Sequence, residues 1–493
     1  MKAKPPGNTL FVPFWRRSRQ NGTKKRTMQN LQEPITIPWL PRPLLVGGIV
    51  GLTILASLAI GHFAAQGSLM MVAALAFPSL ALMGALFAIR YLEFLVLVLP
   101  VTALAMRFAA IPTGTESPLH ISLVLSLGLV GIWLVTMFTH GDWQIPKTSF
   151  NRSLFTFMAI CCISLPWGIL WRDPILNMAA MGNGFPITQT ASLASIVISM
   201  WVPYLVGYYI DREWKIKFYL WAFVIGGTLM TITQILEIEQ YILTDAGLWG
   251  LWYSAILFSV ILVLPGVAWV WRAACLGLLG MHMYLVVILN SGWLSGWVPG
   301  ILGIGAIIFL YSRKYFFMLT LALVLIGIGP AGFYIEEIIA AETEEGGLER
   351  LDIWERSLGI VAQHWLFGMG PAGYAPYNMT YFPWDARSTH NNFFDVVGQF
   401  GVLGLLAWCW FMGTSLWFGW KTVNRAPPGF LRTVAIIATG GWVGAFASMM
   451  LGDWILPFAY NQGIKGYPYT VYSWIFLGLL VSVHRMLDAQ DAG

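Results

Sequence analysis

The residues best equipped for chemistry lie between positions 350 and 404. His390 stands in the run Ser388-Thr389-His390-Asn391-Asn392. An imidazole exchanges protons near neutral pH and can act as a base. The same run is good helix-capping chemistry, so a capping histidine is the simpler alternative. Asn391, Asp395 and Gln399 follow at four-residue intervals, which puts them on one face of a helix. An acid one turn inside an apolar helix is costly, and such residues usually face a cavity or a partner. Arg350 and Arg387 flank this region, and Arg172 lies much earlier. His, Cys, Asp and Glu show no metal-ligand spacing, so neither a metal nor a cofactor is implied. Cys161, Cys162, Cys275 and Cys409 all sit in apolar runs and read as packing residues.

The elements that must position these residues are membrane helices. Of the 493 residues, 57% are hydrophobic and only 10% charged, too few charges to cover a water-soluble core. Apolar runs of membrane-spanning length recur from Pro43 onward and predict an all-α polytopic membrane protein of about fourteen transmembrane helices, including spans over 250–270 and 393–418. The expected organisation is a basic cytoplasmic tail over 1–42, about eleven helices over 43–334, one large outer loop over 335–392, and about three helices over 393–493. The net charge of +5 resides largely in the tail, which suits anionic lipid rather than nucleic acid. With that tail inside, alternate loops put 22 of the 28 Lys and Arg on the cytoplasmic side and only 7 of the 23 acids. Both termini are then cytoplasmic. Tryptophans near predicted helix ends (Trp171, Trp201, Trp249, Trp271, Trp420 and Trp454) read as an interfacial belt.

The outer loop opens with an acidic, solvated stretch. It then carries Leu348, Leu351, Trp354, Leu358, Val361 and Trp365 at spacings of three and four, the apolar stripe of an amphipathic helix lying on the membrane or roofing a cavity. Phe367-Gly368-Met369-Gly370-Pro371-Ala372-Gly373-Tyr374 breaks that helix.

Taken in order, Arg350-x-x-x-Trp354, Phe367-Gly368-Met369-Gly370-Pro371, His390-Asn391-Asn392-Phe393-Phe394 and Gly398-Gln399-Phe400-Gly401-Val402-Leu403-Gly404 resemble the signature of the O-antigen ligases and polymerases. The resemblance covers residues 350–404. It implies a C-type glycosyltransferase fold in the bacterial inner membrane, acting in surface polysaccharide assembly in the cell envelope. The implied donor is an undecaprenyl-diphosphate-linked glycan, and the acceptor a glycan, a lipid or a protein, without metal or cofactor. By the same resemblance His390 is implied to be catalytic, while Arg350, with Arg387 and Arg172, is implied to hold the diphosphate. Trp354, Asn391 and Asp395 are implied to support them. Arginine suits that role because its fork binds phosphate through two bonds and keeps its charge.

The family usually carries Ser-Arg-Gly at the outer start of an earlier helix. Here the corresponding residues are Asn290-Ser291-Gly292-Trp293-Leu294-Ser295-Gly296-Trp297, without an arginine. Either Arg107, Arg172, Arg356 or Arg387 takes its place, or the donor is held differently, or transfer has been lost. A transporter and a non-catalytic polyprenyl-glycan-binding relative are the alternatives. The lack of an internal repeat and the scarcity of mid-membrane charges argue against transport. Ligase and polymerase share their donor chemistry, so these motifs do not separate them.

Overall fold

The computed structural model describes residues 91–105, 110–111, 119–141, 145–176, 178, 185–238, 247–327, 347–386, 388–457 and 463–492. The basic tail, the first two predicted spans, the acidic stretch and Arg387 lie outside these residues.

Fourteen α-helices occur among the described residues. They are α1 (Tyr91–Leu104), α2 (Ile121–His140), α3 (Asn151–Leu170), α4 (Phe185–Tyr209), α5 (Glu213–Ile235), α6 (Trp249–Leu262), α7 (Trp269–Met283), α8 (Leu294–Tyr311), α9 (Arg313–Gly327), α10 (Gly347–Gln363), α11 (Tyr374–Tyr381), α12 (Asn392–Arg425), α13 (Phe430–Ser448) and α14 (Tyr467–Asp491). A π-helical turn, Tyr284–Leu289, continues α7, and a two-residue antiparallel pair joins Ala110–Ile111 to Leu119–His120. Nine of these helical segments are long and apolar enough to cross a membrane. Each predicted span within the described residues corresponds to a helix, so the protein is an all-α polytopic membrane protein.

Three boundaries differ from expectation, the first being the 92–111 span, which stops at Leu104 and whose last two residues form the strand Ala110–Ile111. The 250–270 span stops at Leu262 because Pro265 lacks an N–H and Gly266 takes a left-handed φ of 75°. Arg272 organises the resulting turn by donating to the carbonyls of Ile261 (2.7 Å), Leu264 (3.0 Å) and Val267 (3.3 Å). The 393–418 span runs on to Arg425 and is broken at Gly401, with φ 69° and ψ −172°.

The interior is aromatic. Trp408, Phe411, Trp442 and Trp474 meet ring to ring where α12, α13 and α14 converge, at centroid separations such as 5.2 Å and 5.8 Å. Such packing also accounts for several tryptophans that are not a belt. Trp171 and Trp271 are more than half exposed as expected, but Trp249 is buried against Tyr253 and His282.

Loops predicted on the cytoplasmic side gather at one end. Lys215 of α5 bridges Glu93 of α1 and Asp211. Arg485 of α14 donates to the carbonyls of Gly207 (2.7 Å) and Tyr208 (2.8 Å). Arg425 pairs with Asp488 and Asp491, and Arg313 lies over Trp420 at 5.1 Å. The opposite end joins Arg172, Trp293, Trp354, Thr389 and Trp454. By the charge rule the Arg425 end is the one expected to face the cytoplasm. In a cysteine-free background, a cysteine at the exposed Trp384 is expected to react with an impermeant thiol reagent in intact cells, and one at the exposed Asn424 is not. Labelling at Asn424 with protection at Trp384 reverses the orientation.

Candidate active site

The site is built on the break in α12. A glycine at position 401 adopts a backbone unsuited to an L side chain, so the helical ladder opens there. The freed groups are taken up by the segment 365–370, which includes the start of the Gly-rich turn. Met369 N donates to Gly398 O and Gly370 N to Gln399 O, both at 2.9 Å, while Val402 N donates to Trp365 O at 2.7 Å. Gln399 adds its side chain, accepting from Ala372 N at 3.0 Å. A Cβ on Gly401 would lie 2.2 Å from the Leu366 carbonyl oxygen, so glycine is required by approach as well as by φ. Two of the four motif pieces therefore clip to one another, backbone to backbone. The turn also rests on α3, where a Cβ on Gly168 would meet the Met369 carbonyl at 2.2 Å.

His390 immediately precedes α12. Its φ is +48°, a conformation costing about 1–3 kcal/mol for an ordinary residue and often found at functional sites. The capping task belongs to Asn391, whose Oδ1 accepts from Phe393 N at 2.9 Å and Phe394 N at 3.5 Å. The histidine is half-buried, and its own N–H donates to Ser388 Oγ at 3.2 Å. On one side Trp354 Nε1 donates to Thr389 O at 2.8 Å, and its ring stacks on Phe394 at 5.1 Å. On the other, Thr389 Oγ1 donates to Asp395 Oδ1 at 2.7 Å and Asn392 Nδ2 to Asp395 Oδ2 at 3.1 Å. The Asn392 side chain also fastens the 449–456 connection, accepting from Ile455 N and Leu456 N at 3.1 and 3.2 Å. These contacts immobilise the residues on both sides of His390.

Asn391, Asp395 and Gln399 do not form the single row expected of them. Asn391 is an extended cap outside the helix, Asp395 turns to Thr389 and Asn392, and Gln399 serves the glycine turn. Asp395 has a further neighbour that its local sequence conceals. Asp453, also buried, lies against it from the loop between α13 and α14. The available signal was an acid in the otherwise apolar outer stretch Leu451–Leu456.

The amphipathic helix α10 turns a different face inward than its stripe suggests. Ile353, Ser357, Ile360 and Val361 are buried, whereas Leu351, Leu358 and Trp365 are exposed. Apolar residues occupy two sides of this helix, and docking on the glycine turn and α12 selects the Ile353 side. Trp354 borders that face. The backbone of Arg350 lies one helical turn before Trp354 and so on the same side of α10, while the Arg350 side chain is outside the described residues.

The arginines at this end of the bundle differ in what holds them. Arg356 forms an ion pair with Asp385 and lies over Phe382 at 5.0 Å. Arg172 has no carboxylate partner among the described residues. It donates to Gln189 Oε1 at 3.2 Å and lies 5.9 Å over Phe185. The buried Gln189 in turn donates to Pro371 O at 3.2 Å, which ties Arg172 to the glycine turn. Arg107 and Arg387 fall outside the described residues.

Beside Arg172 lies a polar group absent from the sequence-based expectations. Tyr381 donates its hydroxyl to Asp173 Oδ2, Asp173 N donates to Tyr377 Oη at 3.2 Å, and the His364 ring meets Tyr377 at 4.7 Å. The hydrogen bond from Tyr381 holds the Asp173 carboxyl below its ordinary pKa, and the same bond pushes the Tyr381 hydroxyl up to about 12. Burial lowers the His364 imidazole, with Asp173 pulling the other way. The signal for this group was His364 directly before the glycine turn and Asp173 next to Arg172. Among the described residues no three His, Cys, Asp or Glu side chains are grouped to hold a metal ion.

No curated protein matches the chain at a significant level. A family model described as O-antigen ligase matches residues 260–409, a stretch that contains Arg350, Trp354, the glycine turn and His390. Over those 150 of the 493 residues this multi-pass membrane protein is similar to the O-antigen ligases, which supports a role in surface polysaccharide assembly.

Proposed function

We propose that the protein transfers a glycan from undecaprenyl diphosphate to an acceptor hydroxyl at the outer face of the bacterial inner membrane. The observation that carries this reading is the half-buried His390 at φ +48°, set between Thr389, which Trp354 and Asp395 fasten, and Asn391, which caps the helix in its place. In the reaction, the His390 imidazole accepts the proton of the acceptor hydroxyl. The acceptor oxygen bonds to the anomeric carbon, the bond from that carbon to the carrier diphosphate breaks, and the diphosphate leaves with the electron pair. Charge grows on the leaving diphosphate, so a cation beside it stabilises the transition state.

Arg172 fits the place of the missing Ser-Arg-Gly arginine better than Arg356, whose charge is already neutralised by Asp385. Arg350, whose backbone lies one helical turn before Trp354, is the second cation that this reading assigns to the diphosphate. Arg172→Ala is expected to weaken binding of undecaprenyl diphosphate to the purified protein roughly ten- to a hundredfold, the worth of a charge-assisted hydrogen bond. Arg172→Lys restores part of it, because an ammonium lacks the two-pronged geometry. Unchanged carrier binding in Arg172→Ala removes Arg172 from the donor site.

A further inference from the structure

At the end of the bundle away from His390 lies a cavity of about 400 Å³ that the transfer reaction does not use. The 34-residue α12 separates the two, since His390 precedes its first residue and Pro428–Thr433 follow its last. The cavity is lined by Arg432, Thr433, Tyr311, Ser312 and Tyr315, with Val263 and Ile436 among its apolar walls and no acid among its lining residues. Among the described residues Arg432 makes no ion pair or hydrogen bond. Helix α13 begins here at Phe430 behind Gly429, which offers no side-chain cap, so first-turn N–H groups that the helix cannot satisfy face the same region. The guanidinium, the tyrosine and serine hydroxyls and the helix-start N–H groups together make a phosphate-binding set, while Thr433 donates its hydroxyl to Gly429 O at 2.9 Å. Tyr311 and Tyr315 are 40% and 52% exposed, the usual dress of a membrane interface.

A second recess adjoins the first across the α6–α7 turn. It has a volume of about 330 Å³, is almost wholly apolar (Leu220, Trp221, Val224, Ile256 and Val260 among its walls), and includes Lys217. Phe430 and Leu264 line it, next in sequence to Gly429, Val263 and Pro265 of the first cavity. Lys217 lies over the Phe430 ring at 4.9 Å. A polar, acid-free cavity beside an apolar groove, both at the basic end of a membrane protein, matches one class of ligand.

We propose that this pair of cavities binds an anionic phospholipid of the cytoplasmic leaflet, its phosphate at Arg432 and an acyl chain in the groove near Lys217. Negatively charged lipid is concentrated at that surface, which favours occupancy. The test uses the full-length protein in detergent, mixed with phosphatidylglycerol and phosphatidylcholine of identical chains and read by native mass spectrometry. The wild type is expected to retain phosphatidylglycerol about tenfold over phosphatidylcholine, and Arg432→Gln to lose that preference with an unchanged elution volume. Millimolar inorganic phosphate should not displace the lipid, because it lacks the chains that fill the groove. Equal retention of the two lipids by the wild type overturns the proposal without recourse to any variant. So does full retention by a folded Arg432→Gln protein, and displacement by inorganic phosphate assigns the cavity to free phosphate instead.

Discussion

Replacing His390 by alanine is expected to lower glycan transfer by at least ~10²-fold and as much as ~10⁴-fold, the usual worth of general acid–base help. Donor binding should be nearly unchanged, because in the proposed reaction the arginines rather than the imidazole hold the diphosphate. The variant should insert and purify normally. Asn391 keeps the cap on α12, and removing a half-buried ring from a φ of +48° leaves no packed core behind. The measurement is transfer from lipid-linked glycan by the purified protein, alongside carrier binding. Trp354→Phe is the companion. It keeps an aromatic ring over Phe394 but loses the Nε1–H bond to Thr389 O, so its rate should fall less than that of His390→Ala. A fully active His390→Ala protein would reject the catalytic reading.

The second large effect is expected at Gly401, which touches no substrate in the proposed reaction. An alanine there meets the Leu366 carbonyl at 2.2 Å and must hold φ 69°. Positive-φ strain, together with disturbed backbone bonds between the glycine turn and α12, amounts to roughly 3–5 kcal/mol. The turn carries Pro371, which anchors Gln189 and through it Arg172, while α12 carries the His390 loop at its start. Undocking the turn therefore separates the proposed donor and acceptor groups, and transfer should fall to background with a lowered melting temperature. Gly413→Ala is the control on the same helix. Nothing lies within 4 Å of its added Cβ, so stability should hold or rise slightly. Equal behaviour of the two variants would show that the clip at Gly401 does not hold the site together.

Several features of this protein were decided within short stretches of chain. Membrane helices follow from apolar runs of sufficient length, since backbone groups in lipid have to be satisfied within the segment. The expected alternation of basic and acidic loops follows from the helix count. Asn391 as a cap, the stop at the glycine turn and the order of the four motif pieces are likewise local properties. The end of the 250–270 span at Leu262 was also legible, from Pro265-Gly266, but was overridden by the surrounding hydrophobicity.

Only tertiary packing decided which of these residues meet. Arg172 and Arg356 look alike in sequence, yet Asp385 neutralises one while Gln189 ties the other to the glycine turn. Asp395 and Asp453 are adjacent because α13 returns the chain to the start of α12, which no periodicity announces. Helix α10 had two apolar sides, and the choice of Ile353 over Leu351 was made by the surface it docks on. Gly401 reads as one more small residue in a Gly-rich helix until the Leu366 carbonyl is seen to occupy the space of its missing Cβ. Local sequence governs whether a segment can be a helix in lipid. Which polar groups share a site depends on long-range contacts, and those exist only once the helices are packed.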